Sequence, residues 1–426
     1  MSPGRLVIVD GVRTPFCKAG TQLATLGADE LGRVAVSALL TRTDLDPALI
    51  DEVIFGCVAQ PADTANIARV IALRAGIPQS VPAVTVHRNC ASGGEALTQA
   101  HEKMLAGRGQ IFVVGGTESM SNIPLLFNSA AAGKFGQLAR AKSILQRARA
   151  VAAFRPADFK PLPGLMLGLT DPVCGLNMGE TAEVVAREFE VRRAAQDAFA
   201  LRSHQGAAAA RNQLADEICP VFQTDGKVVT QDNGIRENLS FDALAKLPPR
   251  FDRRNGTVTA GNASQITDGA VALLVMSESR AKELGFAPLG ALTGYAYAGC
   301  DPVRMGLGPV FAIARAEART KLTLADADII EINEAFAAQV LAVIKSAASE
   351  EFARDQLHRA APLGEIPAAK LNVNGGSIAL GHPVGATGAR LVLTALKELK
   401  RRNARRALVT LCIGGGQGAA LWLERM

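Results

Sequence analysis

Several residue types are scarce in this chain of 426 residues, and each shortage excludes a class of protein. The seven cysteines lack the paired spacing of a zinc site or a disulfide framework, so we expect free thiols. The uninterrupted apolar runs fall short of the roughly 20 residues that cross a membrane. The net charge of +6 is too small and too dispersed to predict nucleic-acid binding. Aromatic residues make up only 4%, and histidines number five, so a histidine inside a motif is informative.

The rest of the composition is that of an ordinary globular protein, with 48% hydrophobic and 20% charged residues. The length predicts two or three domains. An apolar run at 6–9 predicts a strand almost at the start of the sequence, without a targeting segment before it. We therefore expect a cytoplasmic protein whose thiols are reduced.

Strand-like and helix-like patterns alternate over the first 120 residues, which is typical of a layered α/β domain. Gly and Pro predict a loop at 10–15. The character changes over 121–265, where a basic stretch at 134–160 predicts an amphipathic helix or hairpin, or else a solvated helical face. Further elements are predicted as helices at 30–40, 66–75, 178–189, 194–215 and 386–399, and as strands at 53–58, 111–114, 257–259 and 271–275.

The C-terminal part of the chain repeats the order of the N-terminal part. Its strand-like segments 328–333 and 408–413 correspond to 52–57 and 111–114. The segment 370–376 corresponds to the strand before Cys90. This order predicts two like α/β halves whose loop ends meet in one cleft. The predicted domains are an N-terminal half at 1–120 completed by 266–288, an inserted loop domain at 121–265, and a C-terminal half at 289–426.

The segment Val84–Leu97 predicts a strand, a polar turn and a helix, with Cys90 in the turn. A thiol at the start of a helix faces unpaired N–H groups and the positive end of the helix dipole, which favour the thiolate. Small neighbours at 91–94 leave room for a substrate to approach. The alternative is a buried structural cysteine.

Three other motifs carry residues suited to chemistry. Pro383 favours an extended backbone at His382, inside a glycine-rich loop, and the alternative is a surface histidine. Cys412 ends a strand before three glycines whose N–H groups suit an oxyanion site, and the alternative is a buried strand-end thiol. Asn333 follows a strand, where its amide could hold a water or carbonyl, or else cap a helix.

Taken together, these motifs resemble those of the thiolases, in order and across nearly the full chain. The four segments are Asn89–Gly93, Asn333–Phe336, Gly381–Gly388 and Cys412–Gly418. The resemblance implies duplicated α/β halves in five layers, α-β-α-β-α, with an inserted loop domain. It also implies an acyltransferase that cleaves a 3-oxoacyl-CoA with CoA, or runs the reverse Claisen condensation.

The same resemblance implies a role for each site residue. Cys90 would be the nucleophile, His382 its base, and Cys412 the acid and base for the enolate and for CoA. Asn333 would hold a water that polarises the thioester oxygen together with His382, and the N–H groups of Cys90 and Gly414 would form an oxyanion hole. The loop-domain positions implied for CoA are Arg236 near the adenine and Ser264 near the pantetheine. CoA enters as a substrate, and neither a metal nor another cofactor is expected.

Two features bear on the substrate. Asn177 stands where acetoacetyl-CoA-specific thiolases tend to carry His, and the basic stretch 134–160 resembles the β-subunits of trifunctional fatty-acid oxidation complexes, although those often have His at the position of Asn333. We expect a degradative 3-ketoacyl-CoA thiolase of fatty-acid β-oxidation, and the alternative is a biosynthetic acetyl-CoA acetyltransferase. A ketoacyl synthase or a non-catalytic acyl-CoA carrier would not need both cysteines with His382. The expected partners are further copies in a homodimer or tetramer, a hydratase/dehydrogenase α-subunit, and a membrane surface at 134–160.

Overall fold

A computed structural model describes residues 4–223 and 225–426 of the chain. The strands are β1 (Leu6–Arg13), β2 (Cys17–Lys18), β3 (Glu52–Gly56), β4 (Ala83–Val86), β5 (Ile111–Glu118), β6 (Leu125–Leu126), β7 (Leu162–Pro163), β8 (Val221–Phe222), β9 (Val228–Val229), β10 (Thr267–Ser277), β11 (Gly290–Gly299), β12 (Ile329–Ile332), β13 (Arg406–Ile413) and β14 (Gln417–Arg425). The helices are α1 (Ala28–Thr43), α2 (Ile67–Arg74), α3 (Ser92–Leu105), α4 (Ser129–Arg140), α5 (Ile144–Ala152), α6 (Gly164–Gly168), α7 (Met178–Glu188), α8 (Arg193–Ala209), α9 (Arg211–Ala215), α10 (Phe241–Ala245), α11 (Glu278–Glu283), α12 (Gly308–Thr320), α13 (Ala337–Ala348), α14 (Glu350–Asp355), α15 (Ser377–Leu380) and α16 (Val384–Arg402).

Within the described residues, ten strands form one sheet in the order β12-β13-β14-β11-β1-β10-β5-β3-β4, with β2 paired to β10. At one end β3 runs parallel to β4 and β5, and β5, β10 and β1 are antiparallel neighbours. At the other end β12 runs parallel to β13, and β13, β14 and β11 are antiparallel neighbours. The same pairing pattern therefore occurs twice, and β1 and β11 join the two copies. The predicted duplication of α/β halves is confirmed.

Two helices lie at the centre of the fold. Helix α16 is buried continuously from Gly385 to Leu399, as expected for a helix covered on all sides. It packs against the start of α3 with almost no side chain between the backbones. A Cβ on Gly388 would lie 2.5 Å from the backbone nitrogen of Gly94, and one on Gly93 would lie 2.8 Å from that of Ala389. The loops that precede α3 and α16 are therefore neighbours, and these loops carry Cys90 and His382.

The apolar interior follows the same division. One cluster of buried side chains lies in the N-terminal half and includes residues of α1, α2 and β3. A second lies in the C-terminal half and includes residues of α12, α13 and Trp422. A third, central cluster combines α3 and α16 with strands of both halves. Helices thus cover the outside of each half, and two further helices fill the space between, so the predicted layered fold class is confirmed.

The loop predicted at 10–15 is wrong in its first part, because β1 continues to Arg13. A register shift between Ile8 and Asp10 keeps the strand paired with β10. Gly11 then fits beneath Leu273 and Leu393, where a Cβ would clash. Gly11 therefore marks a close packing contact and not a turn.

Two other predicted elements differ from the observed ones. The strand predicted at 257–259 is wrong, since only Thr259 forms an isolated bridge. The backbone N–H groups of Thr257 and Val258 donate to the Glu183 carboxylate, so they are not available to a sheet. The helix predicted at 194–215 is divided at Ala210 into α8 and α9.

Residues 123–170 form a compact unit, and residues 4–122, 171–223 and 225–426 form another. In the smaller unit, Phe127, Phe135, Phe154 and Phe159 make a cluster whose ring centroids lie 4.8–6.3 Å apart. The basic stretch 134–160 contains α5 and most of α4. The compact unit lies inside the predicted loop domain 121–265, and the predicted domain boundaries stay a prediction. Among the described helices, none is both long and apolar enough to cross a membrane.

Candidate active site

Cys90 lies in the sharp turn between β4 and α3, as the sequence predicts. Asn89 has a left-handed backbone, with φ of +42°, which reverses the chain direction. The hydroxyl of Ser92 accepts a hydrogen bond from the Arg88 N–H at 2.9 Å and donates to the Asn89 carbonyl at 2.7 Å. These bonds fix the turn and place the half-buried thiol in front of the helix.

Gly414 meets Cys90 from the other half of the fold. Its N–H lies near the Cys90 sulfur and acts to lower the pKa of that thiol, and its carbonyl accepts from Asn89 Nδ2 at 2.7 Å. The N–H of Cys90 itself also faces the sulfur. Two backbone N–H groups therefore lie near the same sulfur, and an oxyanion hole needs two such donors.

The protonation state of Cys90 differs from the prediction. Burial raises the pKa of the Cys90 thiol to about 11, and the two N–H groups offset this only in part. The expected preference for thiolate is wrong because the cost of burying a charge exceeds the effect of the helix N-terminus. At neutral pH the resting group is a thiol, and it needs a base to become a nucleophile.

Cys412 lies near the end of β13, where it pairs with Gly418 of β14. It is buried, and burial raises the pKa of its thiol well above the usual range, with further contributions from the thiols of Cys90 and Cys300. The sulfurs of Cys90 and Cys300 therefore both lie within electrostatic range of Cys412. Cys300, whose N–H donates to the Gly416 carbonyl at 2.7 Å, was not identified from the sequence.

His382 is buried, so the alternative of a surface histidine is wrong. Gly381 precedes it with φ of +104°, a backbone conformation that favours glycine. The His382 N–H lies 3.2 Å from the Thr267 hydroxyl and 3.3 Å from the Gln265 carbonyl, which together hold the loop against β10. The imidazole is thereby directed inward.

Thr387 determines which ring nitrogen of His382 carries the hydrogen. The Thr387 hydroxyl donates to the Pro383 carbonyl at 2.8 Å and lies 2.6 Å from His382 Nδ1. Because its only hydrogen is used, Thr387 must accept from Nδ1–H. The other nitrogen, Nε2, is then left with its lone pair. Burial, followed by the charge of Arg390, lowers the pKa of His382 to about 3, so the ring is neutral and Nε2 is available as a base.

Asn333 does not cap a helix, so that alternative is wrong. Helix α13 begins four residues later, with Phe336 at its cap position. The side chain of Asn333 is buried, with Nδ2 at 3.4 Å from His382 Nε2 and Oδ1 at 2.6 Å from the Ser377 hydroxyl. Asn333 is therefore a direct neighbour of the histidine on its reactive side.

Glu334, the next residue in the motif, connects the surrounding segments. Its buried carboxylate accepts hydrogen bonds from Ser203 Oγ at 2.6 Å, Asn372 Nδ2 at 2.8 Å and the Ile378 N–H at 3.2 Å. Burial still raises its pKa. Gly376 leaves the space that this carboxylate occupies, since a Cβ there would clash with it. Glu334 thus connects α8, α15 and the segment at Asn372 to the residue next to Asn333.

The two residues predicted to bind CoA, Ser264 and Arg236, differ in their contact with the Asn333 motif and in their exposure to solvent. Ser264 is half-buried, and its N–H donates to the Ala335 carbonyl at 2.9 Å, beside the Asn333 motif. Arg236 is exposed, and its N–H lies 3.1 Å from His204 Nδ1, without a contact to the other predicted site residues among the described hydrogen bonds and ion pairs. Over residues 4–223 and 225–426, no cluster of three or more His, Cys, Asp or Glu side chains could hold a metal ion.

Comparison with known proteins gives the family. The family models of the thiolase N-terminal domain and the thiolase C-terminal domain match residues 6–279 and 286–425. The chain belongs to the thiolase family. Among its relatives, the 3-ketoacyl-CoA thiolase of Serratia proteamaculans is 43% identical over 99% of this chain and 97% of its own length. That of Pectobacterium atrosepticum is 42% identical, with 99% and 96% covered.

Solved structures show the same thiolase fold. The acetyl-CoA acetyltransferase of Bacillus anthracis superposes with a TM-score of 0.87 at 36% identity, covering 99% of both chains. Human mitochondrial 3-ketoacyl-CoA thiolase gives 0.86 at 34% identity, covering 100% of both. A complex of the human enzyme with CoA gives 0.85 at 34% identity, covering 99% of this chain and 98% of that one.

The sequence analysis did not identify the residues of this thiolase that contact His382 and Asn333 or their hydrogen-bond partners. Thr387 lies inside the glycine-rich motif Gly381–Gly388, and its spacing of five residues from His382 is the signal that the sequence offers. Ser377 and Arg390 carried no such signal, because their contacts with Asn333 and its neighbours join segments far apart in the chain.

Proposed function

We propose that this thiolase degrades 3-oxoacyl-CoA in fatty-acid β-oxidation, transferring the acyl group to CoA and releasing acetyl-CoA. The proposal is supported by a neutral His382 whose Nε2 carries no hydrogen, by the electrostatic interaction of the Cys90 and Cys412 thiols, and by the close packing of α3 against α16, which makes the loops that carry Cys90 and His382 neighbours. The relatives named 3-ketoacyl-CoA thiolase, similar along nearly their full length, support the degradative direction.

In the first half-reaction, His382 Nε2 takes the proton of Cys90, and the thiolate attacks the 3-oxo carbon. The N–H groups of Cys90 and Gly414 stabilise the resulting oxyanion. The bond between carbons 2 and 3 then breaks, and its electron pair passes to the acetyl-CoA enolate. Cys412 gives its proton to the enolate carbon, acetyl-CoA leaves, and an acyl thioester remains on Cys90.

In the second half-reaction, the Cys412 thiolate takes the proton of the incoming CoA thiol. The CoA sulfur attacks the acyl carbon, and the tetrahedral intermediate collapses with departure of the Cys90 sulfur. That sulfur recovers its proton from His382, so every group returns to its starting state. Because burial raises the pKa of the Cys412 thiol well above the usual range, its thiolate is a strong base toward the incoming CoA thiol.

The enolate needs its own stabilisation during the first half-reaction. Once His382 has accepted the proton, its Nε2–H can donate to the thioester oxygen of the substrate. Asn333, whose amide lies 3.4 Å from Nε2, would hold a water that donates to the same oxygen. The depressed pKa of His382 makes its protonated form a strong donor at that moment.

For CoA binding we propose Ser264 near the pantetheine and Arg236 near the adenine. The contact of Ser264 with Ala335 supports its position beside the reacting groups. The exposed guanidinium of Arg236 is able to meet an anionic or aromatic group that arrives from solvent. Ser264→Ala and Arg236→Ala should raise the KM for CoA more than they lower kcat. An unchanged KM would remove either residue from the CoA site.

The decisive experiment is a thiolysis assay with CoA present, on C4 and on C10–C16 substrates. The reaction is monitored as the decrease in the enolate absorbance of the 3-oxoacyl-CoA. We expect turnover of the longer substrates. Turnover of C4 alone would favour an acetyl-CoA acetyltransferase, which the similarity to the Bacillus anthracis structure makes the second candidate. An enzyme without activity on any of these substrates would refute the proposal.

We also propose that segment 134–160 meets an anionic membrane surface. On α5, Ile144 is 88% exposed and Leu145 is 62% exposed, and Arg147 and Arg149 extend from the same short helix. Apolar side chains among basic ones are typical of helices that lie at a lipid interface. Wild type should cosediment with phosphatidylglycerol vesicles, and the double variant Ile144→Ser, Leu145→Ser should not. Failure of the wild type to cosediment would refute the proposal. The homodimer or tetramer and the α-subunit partner stay predictions.

A further inference from the structure

A line of fully buried polar groups leads from helix α16 to Asn333. Arg390, on the second turn of α16, has Nη1 at 3.3 Å from the Glu331 carboxylate and Nη2 at 3.3 Å from Ser377 Oγ. Ser377 Oγ in turn lies 2.6 Å from Asn333 Oδ1. Burying a cation is costly, so such a group usually has a structural or functional reason to be there.

The donors and acceptors in this line have only one consistent arrangement. The carboxamide Oδ1 of Asn333 can only accept, so Ser377 must donate its single hydrogen to it. The lone pairs of Ser377 are then free to accept from the Arg390 guanidinium, which can only donate. Each bond therefore requires the next, and a charged donor at the start strengthens the bond that follows.

The opposite orientation of the Asn333 amide would conflict with its neighbours. It would direct Oδ1 at His382 Nε2, whose lone pair is free because Thr387 accepts from Nδ1–H. Two acceptors would then face each other at 3.4 Å. It would also leave the Ser377 hydrogen without Oδ1 as its acceptor. The contacts with Ser377 and with His382 therefore require the same orientation of the Asn333 amide, in which Nδ2 faces His382 Nε2.

We propose that Glu331, Arg390 and Ser377 form a positioning chain that fixes the orientation of the Asn333 carboxamide for stabilisation of the enolate. Glu331 accepts from the Arg390 guanidinium, the guanidinium donates to the Ser377 hydroxyl, and the hydroxyl donates to Asn333 Oδ1. Ser377 and Arg390 are positioning residues, since neither lies next to the reacting atoms. The inference rests on the proposed function, because it assigns the chain to the step in which the bond between carbons 2 and 3 breaks.

That assignment makes the two half-reactions respond differently. Exchange of labelled CoA into acetyl-CoA passes an acetyl group to and from Cys90 without breaking a carbon–carbon bond, so it needs no enolate. Ser377→Ala should lower kcat for thiolysis of 3-oxoacyl-CoA by about 10- to 100-fold, less than the roughly 100- to 1000-fold for direct loss of an oxyanion donor. The KM and the exchange rate should stay within about twofold of wild type. Arg390→Lys, which keeps the charge but has one donor nitrogen where the guanidinium uses two, should show the same selective loss.

Ser346→Ala is the matched control. Ser346 is also buried, but among the described residues its hydroxyl donates only to carbonyls of its own helix α13, and both assays should be unchanged. Equal losses of exchange and thiolysis in Ser377→Ala, or no loss in a folded variant, would overturn the inference. If Ser377→Ala does not fold, Arg390→Lys decides by the same comparison. Wild type that performs neither assay would refute the proposed function itself.

Discussion

His382 Nδ1 lies 2.6 Å from the hydroxyl of Thr387, whose own hydrogen is donated to the Pro383 carbonyl at 2.8 Å. This pair fixes the tautomer that leaves Nε2 as the base, without a carboxylate on the far side of the ring. Catalytic histidines are commonly oriented by a hydrogen bond to the second nitrogen. Here a neutral hydroxyl provides that bond, and the ring keeps a low pKa.

Thr387→Val should therefore reduce kcat for thiolysis by about 100-fold, because the ring loses the acceptor that selects its tautomer. Valine keeps the shape of threonine, so the fold should remain. Steady-state kinetics and the thermal midpoint would measure the two effects. Thr394→Val, on the same helix with its hydroxyl bonded to Glu217, should keep near-normal activity. Equal activities of the two variants would contradict the tautomer argument.

The lowered pKa of His382 also predicts how stability depends on pH. The folded ring has a pKa of about 3 and the unfolded ring about 6.5, so the unfolded state binds a proton first as the pH falls. Stability is full above pH 6.5 and is lost progressively down to about pH 3. Between pH 7.5 and 5.0 this histidine should remove about 2 kcal/mol of unfolding free energy.

Urea denaturation at the two pH values measures this loss. His382→Gln should show a drop smaller by about 2 kcal/mol than that of wild type. His204, whose pKa burial lowers to about 4, should contribute in the same direction, so His204→Gln is the companion variant. An identical pH dependence in wild type and His382→Gln would mean that the imidazole is already solvated in the folded state.

Features encoded within one short segment could be predicted from the sequence. Cys90 follows a strand and precedes a helix in one continuous stretch, and the duplicated order of elements is visible along the chain. The thiolate expected at Cys90 was wrong because burial depends on β13 and its following glycines, more than 300 residues away. The predicted end of β1 was wrong because Gly11 is required by its packing against Leu273 and Leu393. These residues are distant in the chain, so no local pattern reveals the contact.

Cys90→Ser should reduce thiolysis to below about one thousandth of the wild-type rate while leaving the fold intact. A serine hydroxyl is a weaker nucleophile, and the two N–H donors cannot replace the lost sulfur. Steady-state thiolysis and circular dichroism would measure activity and fold. Cys17→Ser is the control, since that buried thiol faces Gln22 Oε1 and takes no part in the site. Normal turnover by Cys90→Ser would remove Cys90 from the mechanism.

Cys412→Ala should lower thiolysis by about 100- to 10,000-fold, the range found when a general acid or base is removed. The specific readout is uptake of solvent deuterium into the methyl group of acetyl-CoA, because Cys412 is the proposed partner of the enolate carbon. We expect that uptake to fall with the rate. If the uptake and the rate are unchanged, Cys412 is only a buried strand-end residue.

The contact between α3 and α16 gives a pair of glycine substitutions with opposite expected results. A Cβ on Gly388 would lie 2.5 Å from the Gly94 nitrogen, whereas a Cβ on Gly94 would lie 4.0 Å from Leu421. Gly388→Ala should destabilise the fold by about 1–3 kcal/mol through overpacking. It should also lower kcat, because the His382 loop would be displaced from the turn that carries Cys90.

Gly94→Ala is the matched control on the facing helix. Since there is space for the methyl group, and alanine favours the helix, it should stabilise the fold by about 0.5–1 kcal/mol. Urea denaturation of the two variants measures the difference, and thiolysis kinetics measure the displacement. Equal tolerance of both substitutions would mean that α3 and α16 are able to separate, and the alignment of Cys90 with His382 would then need another cause.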